Sequence, residues 1–113
     1  MSADRRSEFE RAVDLFASGS REEAIEAMRT LVGSEPSYAD AYEMLGMMLY
    51  KCGRIDEAIE WTLRLCEIDP ASAMAHTNLS VFYMRKGLKE KAEEEKAKAA
   101  VLRFSAPPPK GPR

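Results

Sequence analysis

Catalytic and metal-binding side chains are scarce in this chain. Histidine occurs once, as His76, and cysteine twice, as Cys52 and Cys66. Their number and spacing fall short of the clustered Cys and His ligands of a zinc site. Gly-rich phosphate loops are absent as well, and with them the backbone cradle used in nucleotide chemistry. No apolar run approaches the roughly 18 residues that cross a bilayer, and the opening MSADRRSEF lacks the apolar stretch of a secretory signal. Positive charge is not in excess. Lys and Arg total 17 against 19 Asp and Glu, a net charge of −2, or −4 without Lys110 and Arg113 near the end. A nucleic-acid or anionic-membrane surface would need a basic patch. The expectation is a cytoplasmic protein with no enzyme activity, no cofactor, no metal, no nucleic-acid partner and no membrane span.

Apolar residues make up 45% and charged residues 32% of the 113 residues. That balance suits one mostly helical domain with a continuous but modest core. Along it, spaced residues recur. Glycines stand at Gly19, Gly53 and Gly87, alanines at Ala24, Ala58 and Ala92, prolines at Pro36 and Pro70, and small residues at Ala12, Gly46 and Ser80, each series stepping by 34 positions. A fixed period of this size marks a solenoid of stacked supersecondary units.

Within each period the apolar spacing is helical and the breakers fall at corresponding places. A first helix is expected from Arg5 to Ser18, with Asp4 as cap and Phe9, Ala12, Val13, Leu15 and Phe16 on its apolar side, stopped by Gly19. Ser20 and Glu23 have the spacing of a capping box for a second, Arg21 to Val32, after which Gly33, Ser34 and Pro36 break the chain. Ser37 is the expected cap of a third helix, Tyr38 to Lys51, and Gly53 turns the chain into a fourth, Ile55 to Ile68. Asp69 and Pro70 suit the N-cap and first turn of a fifth, Ala71 to Lys86, and Gly87 splits it from a sixth, Leu88 to Phe104.

The sixth helix keeps only a thin apolar stripe, Leu88, Ala92, Ala99 and Leu102, among Glu and Lys. It reads as the solvated face of a terminal cap, the alternative being a functional acidic patch. Its Glu93–Lys96 and Glu94–Lys98 pairs add only ~0.2–0.5 kcal/mol each. The stretch SAPPPKGPR, residues 105–113, can neither continue a helix nor form a core. It is expected to be disordered or polyproline-like, with a Pro-rich docking motif as the alternative.

In the central unit, Ala39 to Ser72, the residues Tyr42, Leu45, Gly46, Leu49, Ala58 and Pro70 follow one another in an order that resembles the tetratricopeptide repeat (TPR). The resemblance covers about residues 5–104, as repeats at about 5–38, 39–72 and 73–104 of one domain over 1–104. The first repeat departs from it with Glu8 and Arg11, where large apolar residues are expected. It implies an all-α, right-handed solenoid of three antiparallel helix pairs. Ala12, Gly46 and Ser80 would then meet Ala24, Ala58 and Ala92, with Leu31, Leu45, Leu65 and Leu79 filling the space around them. Leu15, Leu49 and Tyr83 would pack between hairpins. Cys52 would lie near a turn and Cys66 near the far end of a helix, beyond the ~7 Å Cα limit of a disulfide. Both are read as free thiols. His76 falls in the slot of Tyr42, which implies packing; general-base chemistry is the alternative, and no nucleophile is placed beside it.

The resemblance further implies that the first helices line a concave groove, through the second, fifth, ninth and twelfth places of each repeat. Those places hold Arg6, Phe9, Val13 and Phe16, then Asp40, Glu43, Met47 and Tyr50, then Met74, Thr77, Val81 and Met84, with Asn78 alongside. Chaperone-binding members grip a terminal carboxylate with Lys, Arg and Asn. Here Phe9, Val13, Met44 and Met74 stand at corresponding positions and only Asn78 keeps amide chemistry, so the tail of a heat-shock chaperone is not the expected ligand. The expected function is a non-catalytic adaptor that binds an apolar extended or helical peptide of another protein. Two other readings of the same stripe are a homo-oligomeric scaffold and simple inward packing. Trp61 is expected on the opposite, outer face.

Overall fold

The structure, a computed structural model, describes residues 4–105. Six helices follow one another: α1 (Arg5–Ala17), α2 (Arg21–Ser34), α3 (Ala39–Lys51), α4 (Ile55–Ile68), α5 (Ala73–Arg85) and α6 (Lys89–Ser105). Consecutive helices pack pairwise, most closely within α1–α2, α3–α4 and α5–α6, and then between pairs through α2–α3 and α4–α5. The result is the expected solenoid of antiparallel pairs, with no strand among the described residues.

The 34-residue period has a backbone cause at each hairpin turn. Gly19, Gly53 and Gly87 have φ of 100°, 79° and 80°, the left-handed region that a Cβ disfavours. At Gly53 the glycine N–H donates to the Tyr50 carbonyl at 2.9 Å and the Arg54 N–H to the Leu49 carbonyl at 2.9 Å. Those are the two bonds of a Schellman ending, and they recur at Gly19 and Gly87. Nothing lies within 4 Å of a Cβ added to Gly53. Gly53→Ala should therefore destabilise through backbone strain alone, by about 1–2 kcal/mol, as read from chemical denaturation. An unchanged midpoint would contradict the left-handed turn.

Within each pair the small residues do bring the helices together. Ala12, Ala24, Ala58 and Ala92 are buried, and Gly46 lies so close to α4 that a Cβ on it would stand 2.7 Å from the Thr62 hydroxyl and 3.6 Å from the Ala58 carbonyl. Leu31, Leu45, Leu65, Leu79, Leu49 and Tyr83 are buried as expected, and Leu15 is half-buried against the same core. The second helices present Ile25, Met28 and Val32 in the first pair, then Ile59, Thr62 and Cys66 in the second, as buried or half-buried surface. At the corresponding places α6 has Glu93, Lys96 and Ala100, all exposed. This polar face is what ends a stacked array.

Several local expectations are corrected. The helix caps step by the same period, at Asp4, Tyr38 and Ser72, rather than lying at Ser37 and Asp69. In both later units a turn intervenes, closed by Tyr38 N–H on the Glu35 carbonyl at 3.0 Å and by Ser72 N–H on the Asp69 carbonyl at 3.1 Å. Pro36 and Pro70 lie inside those turns, so α5 starts at Ala73, where Ser72 accepts from the Ala75 N–H at 3.1 Å. The capping box at Ser20 and Glu23 does not form. Its Ser20 N–H is already donated to the Leu15 carbonyl at 2.9 Å, which leaves Glu23 nothing to accept. Gly33 and Ser34 are the last residues of α2, which ends two residues later than expected. At the far end, Ser105 closes α6, and the rest of the expected tail lies outside the described residues. Leu88 is exposed rather than part of the buried stripe, and Lys98 pairs with Glu95 at 3.2 Å instead of Glu94.

Candidate protein-docking face

The expected groove residues fall at i, i+4 and i+7 on each first helix: Phe9, Val13 and Phe16; Glu43, Met47 and Tyr50; Thr77, Val81 and Met84. That spacing keeps each set on one helix face. The face is not uniform along the solenoid. On α1 and α3, Phe9, Val13, Phe16, Met47 and Tyr50 are half-buried and packed against the core, whereas Met74, Val81 and Met84 on α5 are 51%, 44% and 47% exposed. Glu43, Thr77 and Asn78 are half-buried, and Asp40 and Arg6 exposed. The apolar surface available to a partner is therefore concentrated on the third repeat. Met47 and Tyr50 also carry part of the fold, as the inward-packing alternative has it.

Aromatic contacts explain the difference. Phe9 packs on Tyr38 with ring centres 5.8 Å apart, and Tyr50 stacks on Phe82 at 4.8 Å. Guanidinium groups then cover three rings, Arg5 at 4.3 Å from Tyr38, Arg21 at 4.9 Å from Phe16 and Arg85 at 5.5 Å from Tyr50. Arg103 of α6 reaches back to donate to the Thr77 hydroxyl at 2.6 Å. Between α3, α5 and α6 remains an open hollow of about 380 Å³, lined by Tyr50, Ser80, Val81, Met84, Arg85, Ala92 and Lys96.

Charge is distributed in a sense across this face. Asp40 and Glu43 sit together near the start of α3, and no ion pair engages either of them among the described residues. Burial pushes the Glu43 carboxyl above its ordinary value, and the neighbouring Asp40 charge adds to the effect. The cations Arg85, the last residue of α5, and Lys96 of α6 line the hollow instead.

His76 does not take part in this face. Its Nδ1 lies 2.6 Å from Oε1 of Glu95, and both side chains are largely buried. The packing reading of His76 is thus incomplete, because the imidazole sits against a carboxylate that the charge pattern of α6 had assigned to solvent. Burial, with Glu95 nearby, raises the Cys66 thiol and the Tyr83 phenol above their ordinary values. Cys52 and Cys66 are free, as expected. Trp61, on α4, the second helix of its pair, is half-buried. Its ring packs on Tyr42 at 6.0 Å and is covered by Arg64 at 4.5 Å.

Sequence reasoning missed Phe82, Arg85, Lys96 and Glu95. Phe82 was detectable in principle, since it follows Met48 by one period. What Arg85, Lys96 and Glu95 touch depends on how α5 and α6 pack.

The sequence model of the tetratricopeptide repeat matches residues 9–73, more than half of the chain, and the chain belongs to this family. No curated protein matches it. Among solved structures, the crystal structure of MamA superposes with a TM-score of 0.84 at 26% identity, over 89% of this chain and 59% of that one. The chain thus spans less than two thirds of MamA. The structure of YrrB, described as a TPR protein with an unusual peptide-binding site, matches with a TM-score of 0.81 at 25% identity, over 93% of this chain and 54% of that one. The second TPR of Spaghetti (RPAP3), bound to the HSP90 peptide SRMEEVD, matches with a TM-score of 0.79 at 19% identity, over 87% of this chain and 91% of that one.

Proposed function

We propose that this chain is a non-catalytic interaction module whose inner face holds an apolar extended or helical segment of another protein. The observation that carries this reading is the exposure of Met74, Val81 and Met84 on one face of α5, continuous in register with the half-buried Met47 and Val13. Met side chains adapt to varied apolar surfaces, and exposed apolar stripes of this kind are commonly partner sites. Family membership and the peptide-bound or peptide-binding neighbours RPAP3 and YrrB support the same reading. An acidic heat-shock tail such as the one RPAP3 holds is a poor fit, because Phe9, Val13, Met44 and Met74 cannot grip a terminal carboxylate.

The test is selection of binders from a random peptide library, followed by the double change Met74→Glu with Met84→Glu, both exposed on α5. Enriched peptides should be apolar. Binding should weaken about tenfold or more, since truncating or charging a central anchor commonly removes ~2 kcal/mol, while the helical signal persists. Leu63→Glu on the outer side, where Leu63 is 44% exposed, should leave binding unchanged. Loss of binding with Leu63→Glu alone would move the docking face to the outside. If the molecular mass in solution instead rises with concentration, and the groove change abolishes that rise, the inner stripe is buried by a second copy.

A further inference from the structure

The solenoid step places equivalent sockets between the helices of each pair, and the occupant of one of them is visible. At the second pair the socket is formed by Gly46, Ala58 and Thr62 beside Tyr50. Phe82 of the next helix fills it, stacked on Tyr50 at 4.8 Å and reaching within 3.9 Å of a Cβ on Gly46. One step on, the same places are Ser80, Ala92 and Lys96 beside Met84. There the socket is open, and it is the hollow of about 380 Å³ described above. That volume lies in the range of pockets that bury a ligand group.

The chemistry of the open socket differs from its filled counterpart in one respect. Lys96 stands where Thr62 stands, and Arg85 flanks the opening, while no carboxylate lines it. The nearest acid to Lys96 is Glu93, at 4.0 Å on the exposed side of α6. A cation beside an apolar hollow suits an aromatic ring, whose face attracts it, and a carboxylate next to that ring, which can pair with both cations. We propose that this socket docks an aromatic side chain carried on a partner protein's helix, one turn away from an acidic residue.

Two closer occupants fit less well. In a second copy, the residue of α1 at the place of Phe82 is Asp14, with Glu10 and Ser7 around it, which offers charge but no ring for Val81 and Met84. Residues 106–113 contain neither an aromatic nor an acid, and their Lys110 and Arg113 would meet Arg85 and Lys96. The proposal rests on the inner face being a docking surface, and adds where on it a partner anchors and by what chemistry.

The probe is a synthetic alanine-based helical peptide with one Phe and a Glu one turn to each side, titrated into the full chain. Binding should shift the methyl resonances of Val81 and Met84 and leave those of Val13 and Met47 in place. Phe→Ala in the peptide should weaken binding about tenfold or more, and replacing its Glu residues by Lys should do likewise. With Lys96→Glu and Arg85→Glu together, both exposed residues, the preference should reverse towards the Lys-bearing peptide. Equal binding of the Phe and Ala peptides, an unreversed charge preference, or no binding at millimolar peptide would overturn the proposal. Shifts centred on Val13 and Met47 would overturn it while leaving the apolar-groove reading intact. Concentration-dependent self-association that Lys96→Glu abolishes would also overturn it, since a second copy would then fill the socket.

Discussion

Gly46→Leu lowers the melting temperature of the chain by about 10–20 °C, the expected result of a loss near ~3 kcal/mol in a domain of this size. Two effects oppose each other at this site. Replacing a helical glycine gains ~1 kcal/mol of helix propensity. Against that, the first side-chain atom alone would stand 2.7 Å from the Thr62 hydroxyl, which is itself held by its bond to the Ala58 carbonyl at 2.7 Å. A leucine adds three more carbons in a contact with no room for them, so overpacking wins. Gly46→Ala isolates the first atom. It should destabilise on its own and become neutral or stabilising in the Thr62→Ala background, where the obstruction is gone and only the propensity gain remains. Unchanged melting of Gly46→Leu would show that α3 and α4 are not in this register.

Phe82→Ala should remove about 3–5 kcal/mol, the range for a buried aromatic truncated to alanine. The ring is 1% exposed, stacks on Tyr50 and closes the junction between the second and third helix pairs. In a linear array each pair is stabilised chiefly by its neighbours. The loss should therefore be local first: amides of residues 73–105 exchange faster with solvent while those of α1 and α2 keep their protection. Since a domain of this kind has only ~5–15 kcal/mol in total, α5 and α6 could detach well below the main transition. A loss under about 1 kcal/mol, or uniform exchange along the chain, would contradict the role given to Phe82.

Both variants concern residues whose importance was unevenly visible in the sequence. Gly46 belongs to a series with Ala12 and Ser80 that recurs every 34 residues, and a small residue repeated on that scale has a packing reason. Phe82 has a weaker series, because of its counterparts Asp14 and Met48 only Met48 is large and apolar. The caps show the same contrast in another form. Asp4 was the expected cap of α1 and is its cap, whereas Ser37 and Asp69, equally suited by chemistry, are not caps of α3 and α5. Only the turns closed on Glu35 and Asp69 decided that the helices begin later.

What the sequence by itself determined was the period, the number of helices and the position of every hairpin turn. Those follow from local physics: glycine for a left-handed turn, small residues where backbones approach, apolar residues at helical spacing. The family resemblance, confirmed by the match over residues 9–73, came from the same residues. What only the tertiary structure decided was which side chains share a surface across different repeats. Tyr50 is partly core because α5 brings Phe82 onto α3; Met84 is open because nothing described stands in the place that Phe82 has one repeat earlier. Glu95 is buried because α6 lays it against His76. Helical periodicity fixes the face a residue occupies on its own helix, but burial and partnership depend on neighbours far along the chain, and those distances have no local signal.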